Sequence, residues 1–148
     1  MRTSTSTTAA GAGPAGAAGG TGGRARRAPT RVVVDRLEAV PPGTTRIVEV
    51  GGRSIGVIND GGRLHALRNV CPHHGAPLCD GRVQGFMRPS APHVYEYTGE
   101  DAEDRVLLCP WHGYKFRLSD GRSLADPETS RVRTYRVEVE DGDVVLYV

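Results

Sequence analysis

An all-β fold, an antiparallel sandwich of short strands, is what this sequence predicts, and three observations carry the prediction. Glycine and proline number 20 and 10 in 148 residues, so turns punctuate the chain and little room is left for long helices. Between those turns run short stretches in which polar and apolar residues alternate, as they do in a strand with one buried face. The C-terminal stretch, Tyr135 to Glu140, then Asp141-Gly142, then Asp143 to Val148, is a hairpin with a favoured two-residue turn. With 38% hydrophobic and only 5% aromatic residues the core is small, and a bound group that crosslinks loops is a natural source of added stability.

Residues 1–30 are expected to form a disordered tail. Gly, Ala, Thr and Ser make up 23 of them, too little apolar bulk to offset the entropy of ordering. The tail lacks the apolar core of a signal peptide, and no run anywhere in the chain is long enough to span a membrane. It holds four arginines and no acid, so the chain is +2 overall while residues 31–148 alone are −2. Nucleic-acid binding by the folded part is therefore not expected.

The single domain runs from 31 to 148. Val32-Val33-Val34 opens a strand, Pro41-Pro42-Gly43 turns, and Thr45 to Val50 is a half-buried strand. Gly51-Gly52 reverses the chain into Ser54–Asn59, and Asp60-Gly61-Gly62 reverses it again into Leu64–Arg68. Gly81-Arg82-Val83 is a strand, and residues from about 85 to 104 form an insertion. Its Met87–Pro92 is a loop, Val94–Tyr97 a short edge strand and Glu100–Asp104 an acidic patch. Arg105–Leu108 and Tyr114–Arg117 are strands on either side of a second loop, followed by turns at Ser119–Arg122 and Ala125–Glu128.

Two of the chain's three cysteines sit in matched settings, Cys71-Pro72-His73-His74-Gly75 and Cys109-Pro110-Trp111-His112-Gly113. Each box offers a thiolate and an imidazole. Two sulfurs and two nitrogens suit a 2Fe–2S cluster in which histidines replace two cysteines on one iron. They also suit tetrahedral zinc, though zinc motifs usually space their ligands more widely than C-x-H. His74 is an alternative to His73 by adjacency. His65, on a strand, and His93, in the insertion, have no second ligand nearby.

The longer stretches Cys71 to Leu78 and Cys109 to Phe116 resemble the two loops of the Rieske iron–sulfur family, a likeness that covers about residues 31–148. The resemblance implies a Rieske-type antiparallel β-sandwich with two cluster-binding loops. It makes Cys71, His73, Cys109 and His112 the ligands of one 2Fe–2S cluster, with the cysteines on the inner iron and the histidines on the outer. Respiratory members carry an extra cysteine in each loop, joined as a disulfide; here those places hold Ala76 and Trp111. Cys79 is then a small buried apolar residue and a free thiol, in keeping with a reducing cytoplasm.

The function implied is one-electron transfer without catalysis: a ferredoxin passing electrons from a flavin-dependent or other reductase to a terminal oxygenase or reductase. No 2-His-1-carboxylate constellation for a mononuclear iron accompanies the boxes. Two alternatives stand beside it, a small iron–sulfur subunit of a larger oxidoreductase, as in nitrite reductase, and a zinc-stabilised binding module. High-potential relatives place a serine and a tyrosine where this chain has Tyr114 and Phe116, so a potential at the low end of the family range, roughly −150 to −50 mV, is expected.

Overall fold

The structure is a computed structural model that describes residues 27–99 and 104–148. Most of the expected tail, residues 1–26, lies outside the described residues, as do four of the five positions in the expected acidic patch. Eleven strands form: β1 (Arg31–Arg36), β2 (Thr45–Val50), β3 (Arg53–Asp60), β4 (Arg63–Arg68), β5 (Arg82–Gln84), β6 (Met87–Arg88), β7 (Glu96–Tyr97), β8 (Val106–Leu108), β9 (Lys115–Arg117), β10 (Thr134–Glu140) and β11 (Asp143–Tyr147). Short 3-10 turns at Leu37–Ala39 and Leu78–Asp80 are the only helical pieces among the described residues.

Every strand pairing is antiparallel. Six strands line up as β1-β11-β10-β4-β3-β2, three as β5-β8-β9, and β6 pairs with β7 alone. β10 meets β4 through only two residue pairs, Thr134 with Leu67 and Tyr135 with Ala66. The six-stranded sheet thus folds over on itself and closes one core, containing Val40, Ile55, Val57, Ala66, Val144 and Leu146.

A second core lies between β3–β4 and the three-stranded sheet, and contains Ile58, Leu67, Leu78, Leu107, Phe116 and both box cysteines. Strand β3 is the wall between the two. Its residues Ile55 to Asn59 are all buried, where a strand covered on one side would alternate. Buried Asn59 keeps its amide satisfied, donating to the Val40 carbonyl at 2.7 Å and accepting from the Gly62 N–H at 2.8 Å.

Thr30, expected in the tail, already belongs to the sheet. Its N–H and C=O exchange hydrogen bonds with Val148 at 2.7 and 3.0 Å. The start of the expected insertion packs against its own later residues. Gly85 packs so closely on Thr98 that an added Cβ would stand 1.7 Å from the Thr98 carbonyl oxygen. The Phe86 N–H donates to the Thr98 hydroxyl at 2.8 Å, and the Arg117 guanidinium covers the Phe86 ring. What projects is the hairpin from Met87 to Tyr97. Its first two residues, expected as loop, form β6 because they pair with Glu96 and Tyr97. Asp104 makes an ion pair with Arg117 at 3.6 Å.

Candidate metal centre

The two boxes fold into the same backbone loop. In the first, the Gly75 N–H donates to the Cys71 carbonyl and the Cys71 N–H to the Ala76 carbonyl, both at 2.8 Å. In the second, Gly113 donates to Cys109 at 3.1 Å and Cys109 to Tyr114 at 2.7 Å. Each bond joins residues at the same spacing. Each loop closes on a glycine with positive φ, 76° at Gly75 and 73° at Gly113, which a side chain would strain. The proline after each cysteine fixes φ just before the turn.

Strands bring the loops together. β4 leads through Asn69 and Val70 into the first loop, and β8 leads directly into the second. The first loop leaves through the turn at Leu78–Asp80, where Gly81 lies against the end of β8: a Cβ there would be 1.8 Å from the Leu108 carbonyl oxygen. Asn69 pins the same turn, its Oδ1 accepting from the Cys79 N–H at 2.7 Å and its Nδ2 donating to the Ser54 hydroxyl at 3.1 Å.

The donor atoms divide by depth. Cys71 and Cys109 are buried, side by side in the second core. Burial pushes the Cys71 thiol up, the adjacent Cys109 thiol adds to this, and the backbone N–H groups of His73 and His74 pull it back. His73, His74 and His112 are exposed, with ligating nitrogens within 4.8 Å of one another. The ring centroids of His73 and His112 are 5.0 Å apart. Desolvation, and then the neighbouring imidazoles of His74 and His112, lower the His73 pKa, which favours the neutral ring that binds metal. Tyr114 stacks on His73 with ring centroids 4.1 Å apart and planes at 24°.

The matched loops therefore bring the two thiols into one core and His73 and His112 together at the surface, where His74 joins them. The repeated backbone pattern makes His74 the positional counterpart of His112, and His73 that of Trp111. That equivalence follows from loop geometry and is invisible to a reading that counts C-x-H against C-x-x-H. The Tyr114 stack was also missed, because sequence reasoning considered only its hydroxyl. Phe116 is fully buried, as a core residue.

The remaining candidates lie elsewhere. Half-buried His65 faces Leu118, and burial lowers its pKa against the pull of Asp60 and Asp104. His93 is exposed in the projecting hairpin at φ 66°. Cys79 is buried, with Sγ 3.8 Å from the Leu67 carbonyl, and unpaired, as are the other two cysteines. No helix among the described residues is long and apolar enough to cross a membrane.

Two buried thiols beneath exposed imidazoles, on matched loops, fit a mixed sulfur–nitrogen iron cluster by the chemistry of the donor set. The comparisons agree. The chain is 28% identical over 110 residues to the ferredoxin component of the naphthalene 1,2-dioxygenase/salicylate 5-hydroxylase systems of a Ralstonia species, covering 74% of this chain and 88% of that one. It superposes on the ferredoxin of carbazole 1,9a-dioxygenase from Nocardioides aromaticivorans IC177 with a TM-score of 0.59 at 26% identity, over 79% of this chain and 96% of that one. A chain from a complex of reduced oxygenase and oxidised ferredoxin in carbazole 1,9a-dioxygenase gives 0.58 at 26% identity, over 79% and 92%. Residues 30–136 match the family described as Rieske [2Fe-2S] domain, and the protein belongs to that family.

Proposed function

We propose that the chain is a Rieske-type ferredoxin, a one-electron carrier of the cytoplasm. It takes electrons from a flavin-dependent or other reductase and delivers them to a terminal oxygenase or similar enzyme. Cys71, His73, Cys109 and His112 hold its one 2Fe–2S cluster. The observation that carries this reading is the pair of matched loops with thiols below and imidazoles above. The similarity to ferredoxin components of dioxygenase systems supports the choice of partners.

When bound, such a cluster accepts and releases a single electron, and two neutral imidazoles in place of thiolates leave it less negative and easier to reduce. The chain's residues set the conditions for that exchange. Leu78, Leu107 and Phe116 keep water from the sulfur side. The N–H groups of His73 and His74, directed at the Cys71 sulfur, stabilise its negative charge. Tyr114 holds the His73 ring in one orientation by stacking, and the exposed imidazoles form the edge a partner meets.

Visible absorption and electron paramagnetic resonance of the purified protein test the reading. A 2Fe–2S signature with about two irons per chain is expected. A colourless protein carrying one zinc would overturn it in favour of a binding module. Gel filtration separates a free carrier, which elutes alone, from a small subunit that purifies with a larger enzyme.

A further inference from the structure

Fifteen arginines lie among the described residues, and not all of them stand beside a carboxylate. Seven lie within 3.9 Å of a carboxylate, from Arg31 with Glu140 to Arg136 with Glu138. Arg27, Arg53, Arg68, Arg82, Arg88, Arg131 and Arg133 have no carboxylate partner among the described residues, and of these Arg53, Arg68 and Arg133 stand together.

Strand register gathers Arg53, Arg68 and Arg133, while Arg131 bridges to Arg122 beside them in sequence. The Arg68 N–H donates to the Arg133 carbonyl at 2.8 Å, continuing the β4–β10 ladder by one pair, so the two side chains stand opposite each other. Ile55 pairs with Arg68, which puts Arg53 two places further along the same face of β3. Val132 is buried in the second core, so Arg131 and Arg133 on either side of it point out. The Arg133 guanidinium lies over the Tyr135 ring, 5.2 Å from its centroid.

Like charges set directly across a ladder repel, and among the described residues no acid pairs with them. Two buried polar atoms at the same place, Nε of Arg68 and the Tyr135 hydroxyl, also lack partners. The band begins three residues before Cys71, at the end of β4 that feeds the first loop.

We propose that this arginine band is a docking surface for an acidic patch on the redox partner, an inference that rests on the carrier function above. No acid among the described residues pairs with these arginines, and their counter-charges come from another protein. The local charge is opposite in sign to the −2 of residues 31–148 as a whole. The band thus orients an acidic partner toward the loop end of the molecule, against the weak repulsion of the domain's net charge. Arg131 and Arg133 are exposed while Arg53 and Arg68 are half-buried, so the part of the interaction made at the surface is screened by salt.

Fluorescence anisotropy of a labelled hexaglutamate peptide with the full chain tests the surface without depending on cluster colour. Binding is expected at about 20 mM salt and roughly tenfold weaker at about 200 mM. The Arg68→Gln/Arg133→Gln variant should bind at least about fivefold more weakly at the lower salt. Arg131→Gln/Arg133→Gln, which alters only exposed side chains, should move the same way with unchanged circular dichroism. The tail's Arg24, Arg26 and Arg27 are the rival source of positive charge. Their triple Gln variant should bind the peptide like the native chain. Native-like binding by both band variants, or loss of binding in the tail variant alone, overturns the proposal. Visible absorption recorded on the same samples reports the cluster separately, so failure of the carrier reading is distinguished from failure of the docking surface.

Discussion

A methyl group at Gly56 would stand 2.3 Å from Sγ of Cys79 and 2.5 Å from its Cβ. The two residues share one side chain's space across the wall between the cores, so Gly56→Ala is expected to lose at least about 1–3 kcal/mol of unfolding free energy. Because the clash reaches Cβ, Cys79→Ala leaves it in place and only Cys79→Gly relieves it. A double-mutant cycle by urea denaturation checks this. Burial pushes the Cys79 thiol from its ordinary 9.0 up to about 12. Below about pH 9 the thiol is protonated whether the chain is folded or not. Between there and about 12 the unfolded chain releases the proton while the folded one keeps it, so stability falls as pH rises through that window. Urea midpoints measured at pH 8 and near pH 10.5 should show a larger fall for the native chain than for Cys79→Ala. Cys79→Ser is expected to keep the visible absorption that Cys71→Ser and Cys109→Ser abolish. Bleaching by all three would remove the distinction between ligand and core cysteine. The sequence marked Cys79 as buried, but not its dependence on a glycine 23 positions away, since only the β3 register and the Leu78–Asp80 turn bring them together.

Among the loops, glycines differ in what they do. Gly75 has φ 76° with nothing within 4 Å of an added Cβ, so Gly75→Ala should carry only backbone strain, about 1–2 kcal/mol. Gly81 has ordinary φ, but a Cβ there would be 1.8 Å from the Leu108 carbonyl oxygen, where the first loop's exit touches the strand feeding the second. Gly81→Ala should therefore lower the melting temperature further than Gly75→Ala and reduce iron content, measured on purified protein. A smaller effect at Gly81 would mean the two loops are not held at that point. The strands were readable because alternation and glycine turns are local signals, and the boxes because their ligand types stand adjacent in the chain. The repeat in loop hydrogen bonding was not, since it resides in carbonyl and amide positions that residue spacing does not report. The hairpin at Met87–Tyr97 was half-read: Val94–Tyr97 suggested an edge strand, while its partner at Met87–Arg88 is too short to alternate.

At the scale of the whole molecule Thr30 is tied to the sheet, because its two backbone hydrogen bonds to Val148 extend the edge. Removing residues 1–27 is expected to leave the melting temperature unchanged, whereas removing 1–30 should lower stability by about 1–3 kcal/mol. Calorimetry of the two truncations decides it. Voltammetry of the loaded protein should give a potential of roughly −150 to −50 mV, because Phe116 is enclosed in the core and offers no donor; a value above about +100 mV would refute this. The fold class was legible throughout, but the division into two cores was not. Only β3's unbroken burial reveals it, and in sequence that strand reads like any other. The sulfur side of the metal centre is enclosed and only the imidazole side meets solvent. Donor and acceptor are therefore expected to meet that same edge in turn, and an excess of either should slow traffic to the other.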